Sequence, residues 1–501
     1  MSLDYAVHHA HSVHISLRRR RLTMLNPCFS LGGMPQNWRF AEALPKTAPL
    51  LSSNHANFIH VKDSFFHTSR FAHCNFIYIV VITEQMTVPG LHPIHVNFKQ
   101  ETKTMMLQHE ITEALSHRPT KVWSGEPLLG SSYGQEEIDA AVNCIRESMD
   151  PTVGFGFSAP PIPDFEQAFA KYCGTKYATA VNSCGPAIDI IMRYLKLQPG
   201  DEVIVPSCNY VASPLSVYGH GGQVIWGDVL PDTLQLDPED VERKMSPRTR
   251  AIFPVHMNGL AAPIDDYIAI AEKHPHPVHG PAKVISDAAR ACGGGYKGNK
   301  IGKAGWATVF SFHTMKNMTT LGEGGMITTD DPDLDKFAHS VRMYGIDINA
   351  WGTSNVMTKV QAAVGLVQLS KLDSFIDGRR RIAHARNRML ADVPGLILPV
   401  EPADCYHSYY LYTCRVKDEW AGAKRDELMA TLDKEFGFRC VIANPPVYAG
   451  RKQLAEHTRG QSNPVTEHLA KTIFCVPLHP DMPEADNKYI CAAIITAMSR
   501  L

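Results

Sequence analysis

Between residues 177 and 331 the chain alternates short, charge-poor runs rich in β-branched residues with longer stretches of helical period. That alternation limits the fold more than any other feature. Strand candidates lie at 177–182, 202–206, 223–229, 250–255, 283–287, 307–312 and 326–329. The first leads into an apolar helix that opens on Gly185-Pro186 and runs to about residue 197. Proline in a first turn loses no N–H that the helix would use. Helical stretches at 238–245 and 264–273 separate later strands. Strands joined through helices by short links predict an α/β fold with a large, mostly parallel sheet covered on both faces. In such sheets ligands gather at the carboxyl ends of the strands.

Four of those ends carry groups suited to chemistry. Asn182-Ser183-Cys184-Gly185 enters a helix, where free N–H groups and the helix dipole suit a phosphate; an ordinary helix start is the plain alternative. Tyr210, in Ser207-Cys208-Asn209-Tyr210, can stack on a planar cofactor or simply pack. Asp287, in Asp287-Ala288-Ala289-Arg290, is a carboxylate at a buried strand end, which is costly without a cationic partner. A protonated ring nitrogen would be such a partner; a helix cap or a pair with Arg290 is the structural alternative. Ser311 and Lys316 follow the strand 307–312, opposite the turn Gly322-Glu323-Gly324-Gly325. A loop lysine is ordinarily solvated. Here a core strand precedes it and glycines admit backbone close by, so burial would make the amine nucleophilic toward an aldehyde. Each group alone has a bland explanation. Together they supply a phosphate cradle, a ring stacker, a ring-nitrogen partner and a Schiff-base lysine, in the order pyridoxal phosphate requires.

These residues resemble the DegT-type sugar aminotransferases, a family of fold-type-I pyridoxal-phosphate enzymes. The resemblance covers about residues 121–499 and rests on Val181-Asn-Ser-Cys, Pro199-Gly-Asp-Glu-Val-Ile-Val-Pro-Ser, Thr249-Arg-Ala-Ile-Phe-Pro-Val-His, Asp287-Ala-Ala, Ser311-Phe-His-x-x-Lys316, Gly322-Glu-Gly-Gly and Gln361-Ala-Ala-Val-Gly-Leu-Val-Gln-Leu. It implies that Lys316 carries pyridoxal 5'-phosphate as a Schiff base and Asp287 keeps the ring nitrogen protonated. It implies that Tyr210 stacks on the ring, and that Ser311 and the Ser183, Cys184 and Gly185 backbone bind phosphate. Arg290 stands where the family has glutamine, beside the cofactor. The family also uses an asparagine from the neighbouring subunit. Asn355 is its counterpart here, although counting back from Gln361 lands on Ser354. The implied activity moves an amino group from glutamate or glutamine to a keto sugar, nucleotide-linked, for polysaccharide biosynthesis, in a homodimer with shared active sites. Retention of Lys316 argues against the family branch that has histidine there and dehydrates sugars. Other departures are Gly185 or Pro186 in place of the phosphate-loop threonine, Thr314 in place of proline, and Leu321 as one extra residue before the glycine turn. Arg290 and the altered phosphate loop leave open a keto-cyclitol or other non-nucleotide ketone as acceptor. A non-catalytic regulator on the same fold is the reading from a different class.

At 501 residues two or more domains are expected, with 44% apolar and 20% charged residues as in ordinary globular chains. Composition sets 105–377 as the large cofactor-binding domain and 378–501 as a smaller α+β domain. In the latter, 407–416 and 439–442 read as strands, and 424–436 and 484–498 as helices. A helix is expected at 135–149, with Ile138, Val142, Ile145 and Met149 in one stripe, and another at 357–376. The net charge of −1 gives no electrostatic sign of nucleic-acid binding. Twelve cysteines without a Cys-x-x-Cys pair argue against a metal site and against a disulfide scaffold, and point to a cytoplasmic setting. No apolar run near the N-terminus is long enough to span a bilayer. Residues 1–104 differ from the rest: ten of the 24 histidines precede residue 96, and only four acidic residues fall within 1–100. A poorly ordered extension or a misplaced start codon, with translation beginning at Met105 or Met106, is favoured over a targeting segment.

Overall fold

The computed structural model describes residues 15–18, 21–24, 106–153, 160–443, 445–458 and 460–501. The chain forms two compact units, Met1–Lys103 and Thr104–Leu501. The described part of the first is a short antiparallel hairpin, Ile15–Arg18 against Arg21–Met24. The other expectations for 1–104 lie outside the described residues.

The second unit is built on a seven-stranded sheet. Its strands are β1 (Tyr177–Val181), β2 (Glu202–Pro206), β3 (Gln223–Gly227), β4 (Thr249–Ile252), β5 (Lys283–Asp287), β6 (Ala307–Ser311) and β7 (Gly325–Thr329). Their spatial order is β1-β7-β6-β5-β4-β2-β3. Strands β2 to β6 pair in parallel, and β7 runs antiparallel to both β6 and β1. The reversed strand follows from its connection: β7 returns directly from β6 through the Lys316 turn, with no crossover helix between. The pairing sets Ser311 opposite Gly325, and Gly325 opposite Val181. Two strand ends that lie 130 residues apart in sequence, at 181 and 311, are thereby brought to the same place.

Each face of the sheet is covered. On one side helix α2 (Ile162–Cys173) sets Phe165 and Phe169 against Phe310 and Phe312, with ring centroids 4.9 Å apart for Phe169 and Phe310. On the other, α3 (Cys184–Leu195) buries Ile188, Ile190, Ile191 and Met192 against Val203, Val205 and Val309. Full burial of each such side chain contributes about 1.5–3 kcal/mol. A second sheet, Leu396–Ile397 (β8), Tyr412–Val416 (β9) and Ile473–Val476 (β10), is antiparallel and packs under the closing helix Glu484–Met498.

Three differences from the sequence reading have physical causes. The helix expected at 357–376 is α4, Lys359–Leu390. Gly378 does not end it, because the missing Cβ admits the Pro480 backbone, whose carbonyl oxygen would lie 2.8 Å from a side chain there. Its buried face continues through Arg379, Ile382, Ala383, Arg386 and Leu390, so two buried arginines disguise the apolar stripe. The strand expected at 407–416 starts only at Tyr412, since Tyr409 takes a left-handed φ of 48°. Residues 439–442 form isolated bridges to Ser124 and Cys475 rather than a strand.

The helix α1 (Gln135–Glu147) ends two residues short of the expected 149, and its apolar stripe faces outward: Ile138 and Ile145 are each 54% exposed, and Met149, just past its end, 79%. The buried side holds Glu137, whose carboxylate accepts from Gly134 N–H, Gln368 Nε2 and Lys371 Nζ at 2.7, 2.8 and 3.0 Å.

Candidate active site

The site lies along the carboxyl ends of β1, β5 and β6. Asp287 closes β5 and is buried. Its Oδ1 accepts from the Ala289 N–H at 2.9 Å, and its carbonyl accepts from His256 N–H at 2.9 Å, so both ends of the residue are fixed. Burial pushes its carboxyl above the ordinary aspartate value, while the Ala289 bond, Lys316 and Arg290 hold it down.

Lys316 sits in the turn between β6 and β7. Its N–H donates to His313 O at 2.9 Å. The residue as a whole is half-buried, but its amine is deep enough that desolvation, followed by the Arg290 charge, pushes it down to about 8. Glu126, Asp287 and Cys184 act in the opposite sense. The turn takes two left-handed positions, Leu321 at φ 61° and Gly322 at φ 107°.

Gly325 is the contact on which the cradle depends. A Cβ there would meet the Ser183 carbonyl at 2.6 Å and the Cys184 nitrogen at 2.7 Å. Only glycine lets β7 come this close to the start of α3. Ser183 is the N-cap of α3 and makes no capping bond with its side chain. The Asn182 Oδ1 beside it is buried without a hydrogen-bond partner. A Cβ added at Gly185 would meet nothing within 4 Å, so open space borders the first turn of α3. Ser311 Oγ accepts from His313 N–H at 3.3 Å across the same corner. A half-buried helix start with free N–H groups and two hydroxyls fits a phosphate. A buried carboxyl and a depressed lysine beside it fit the ring of pyridoxal phosphate.

The structure therefore brings Lys316, Asp287, Arg290, Cys184, Ser183, Gly185 and Ser311 together. Asn355 is also near, through its carbonyl, which accepts from Asn182 N–H at 3.0 Å within the same chain. Tyr210 is 62% exposed, with its backbone N–H held by Asn209 Oδ1 at 2.6 Å.

Other groups of the site were not singled out from the sequence. Tyr410 is fully buried, and Lys316 Nζ lies 4.9 Å and Arg290 Cζ 5.7 Å from its ring centroid. Its hydroxyl donates a short hydrogen bond to the Glu126 carboxylate. Arg290 also donates to Asn258 Oδ1 at 3.3 Å. Residues 124–134 cross the lysine turn, with Gly130 N–H donating to Thr314 O at 2.9 Å. A Cβ at Gly130 would lie 2.1 Å from Met315 O and 2.4 Å from Lys316 O. Arg379, fully buried, donates to the carbonyls of Tyr409, Tyr410, Leu478 and Gly130. The aromatic run Tyr409-Tyr410-Leu411-Tyr412 was the available sign of this region, and it reads equally well as strand core.

A mostly parallel seven-stranded sheet with a desolvated lysine and a buried aspartate at neighbouring strand ends defines a fold-type-I aminotransferase. Comparison with known proteins makes the assignment specific. The model of the DegT/DnrJ/EryC1/StrS aminotransferase family matches residues 134–495, and the chain belongs to that family. It is 31% identical over 380 residues to the spore coat polysaccharide biosynthesis protein SpsC of Bacillus subtilis (strain 168), covering 72% of this chain and 94% of that protein. Among solved structures, DesV of S. venezuelae in complex with a ketimine intermediate is 32% identical, with a TM-score of 0.67 over 73% of this chain and 95% of its own. An aminotransferase from Psychrobacter cryohalolentis is 26% identical, with a TM-score of 0.68 over 76% and 99%. The family is pyridoxal-phosphate dependent. No helix among the described residues is long and apolar enough to cross a membrane, and no cluster of potential metal ligands occurs among them.

Proposed function

We propose that the chain binds pyridoxal 5'-phosphate on Lys316 and transfers an amino group from glutamate or glutamine to a keto sugar, nucleotide-linked, in polysaccharide biosynthesis. The observation that carries this reading is the pair at adjacent strand ends: a lysine amine held near 8 and a buried carboxyl at 287. The polysaccharide context rests on the likeness to SpsC.

The cofactor, when bound, supplies an aldehyde that takes up the amino group and a ring that accepts electrons. The chain does the rest. Asp287 holds a proton on the ring nitrogen. The N–H groups of Ser183, Cys184 and Gly185, with the Ser311 hydroxyl, bind the phosphate, and Tyr210 covers the ring. The Lys316 amine would take the proton from the donor's α-carbon, and its depressed pKa would let it do so near neutrality. The same amine would return a proton when the acceptor enters; because the donor's keto product leaves before the acceptor binds, the kinetics would be ping-pong. A homodimer with shared sites, located in the cytoplasm, completes the proposal. The outward stripe of Ile138, Ile145 and Met149 supports a second copy as its cover, and ten free cysteines among the described residues suit a reducing compartment.

Arg290 supports a second reading of the acceptor, a free keto-cyclitol, because a cation stands in the family's amide position. The test is a screen of keto acceptors with a glutamate donor, run beside Lys316→Ala. Turnover of nucleotide-linked keto sugars that vanishes in the variant is the expected result. Turnover confined to free cyclitol ketones selects the second reading, and normal turnover in Lys316→Ala overturns both.

A further inference from the structure

Two cations, Lys316 and Arg290, approach one aromatic ring, that of Tyr410, at 4.9 and 5.7 Å. Like charges so placed repel, and burial strengthens the repulsion. The Tyr410 hydroxyl ends on the carboxylate of Glu126, which comes from residues 124–134 and lies 284 residues earlier in the chain. The ring is fully buried and cannot swing away. Around it Arg379 binds the Tyr410 carbonyl and the Gly130 carbonyl, fixing the ring and the crossing segment to each other. A carboxylate bonded to a phenol draws density toward the ring face, and a more negative face holds cations better.

We propose that Glu126 is a positioning residue: through Tyr410 it supplies the negative charge that lets Lys316 and Arg290 share one ring, and so sets the basicity of the catalytic amine. This rests on the reading of Lys316 as the cofactor lysine. The charged and titratable groups facing Lys316 are Arg290 and Asp287 from the end of β5, Cys184 from α3, Glu126 from the crossing segment and Tyr410 from the C-terminal side. Of these, Arg290 lowers the amine's proton affinity, and Glu126 offsets it. A chain with arginine at 290 needs that offset, because without it the amine would lose hold of the proton it must carry between donor and acceptor.

The experiment is the pH midpoint of Lys316 acylation by acetic anhydride in the full-length chain freed of cofactor, read peptide by peptide by mass spectrometry. Exposed lysines of the same chain serve as the internal reference. Glu126→Gln keeps an acceptor for the phenol and removes only the charge. It is expected to lower the midpoint by about one unit, the effect of losing an unlike charge at the site. Glu126→Asp is expected to restore most of that shift, Arg290→Gln to raise the midpoint, and the double variant Glu126→Gln/Arg290→Gln to return it near the wild-type value. The acid limb of the kcat profile of the holoenzyme should move with the midpoint. If Glu126→Gln fails to fold, Tyr410→Phe, which leaves the ring and frees the carboxylate, should give a smaller shift in the same direction. An unchanged midpoint in the folded charge variant, or in Tyr410→Phe where that variant stands in for it, overturns the inference. So do single-variant shifts of equal sign. If borohydride fixes no cofactor on Lys316 of the wild type, the aminotransferase reading itself falls. If cofactor is fixed there but the midpoints do not move, only the role of Glu126 falls.

Discussion

The strand ends and the two segments that close over them make one site by different means. At the strand ends, Asp287, Ser311 and Ser183 are placed by sheet register, and neighbours along β5, β6 and β7 fix one another through backbone ladders. Over them, Glu126 and Tyr410 meet across 284 residues of sequence through side-chain bonds and the four carbonyls gathered by Arg379. A framework made by ladders tolerates side-chain change but not a change in spacing. A closure made by a few polar contacts is the reverse: each contact is replaceable in chemistry but individually costly to lose.

That contrast can be broken or sharpened at several positions. Asp287→Asn keeps shape and removes the charge proposed to face the ring nitrogen. It is expected to lower kcat for the half-reaction with glutamate by on the order of a thousandfold while the melting curve stays near wild type; unimpaired kcat would separate Asp287 from the chemistry. Arg379→Leu leaves four carbonyls without their donor in the interior. Chemical denaturation should show a loss of about 3 kcal/mol, since a buried carbonyl left unpaired costs about 1–3 kcal/mol, and a loss under 1 kcal/mol would mean the closure does not depend on it. Gly325→Ala forces β7 off the start of α3, since its Cβ would meet backbone at 2.6 Å. The expected cost is about 1–3 kcal/mol, with weaker retention of pyridoxal phosphate on dialysis. Gly130→Ala presses on the Met315 and Lys316 carbonyls in the same way, at 2.1 and 2.4 Å. Because its segment is held by fewer ladders, it should move aside for about 1 kcal/mol or less, so that activity falls more than stability. Equal stability losses at the two glycines would erase the distinction between framework and closure.

The same contrast explains what could be read from the sequence. Strands β1, β2, β5 and β6 were legible because buried parallel strands are continuous β-branched runs, and their ends named Asp287 and the Lys316 turn directly. The helix start of the proposed cradle was legible as Ser183 before a helix. Its dependence on Gly325 was not, because close approach is a property of two segments and not of one. Arg379 and Arg386 look like surface residues in any linear pattern, yet both are fully buried on α4. Tyr410 was hidden inside an aromatic run that reads as strand, and the left-handed turn at Tyr409 that ends that reading is set by tertiary contact with Gly259, to whose carbonyl the Ser408 N–H bonds at 2.9 Å. Nothing local marks Glu126.

The crossing of residues 124–134 over the lysine turn carries a consequence for biogenesis. The part of the chain that leaves the ribosome before the sheet can meet the lysine turn at Thr314, but must wait for Arg379 and then for Tyr410 for the bonds that hold it closed. The pocket thus has no finished wall until the last third of the polypeptide has been made. Vitamin capture by a nascent chain would report late assembly, and a product cut short after the sheet would hold its lysine open to water.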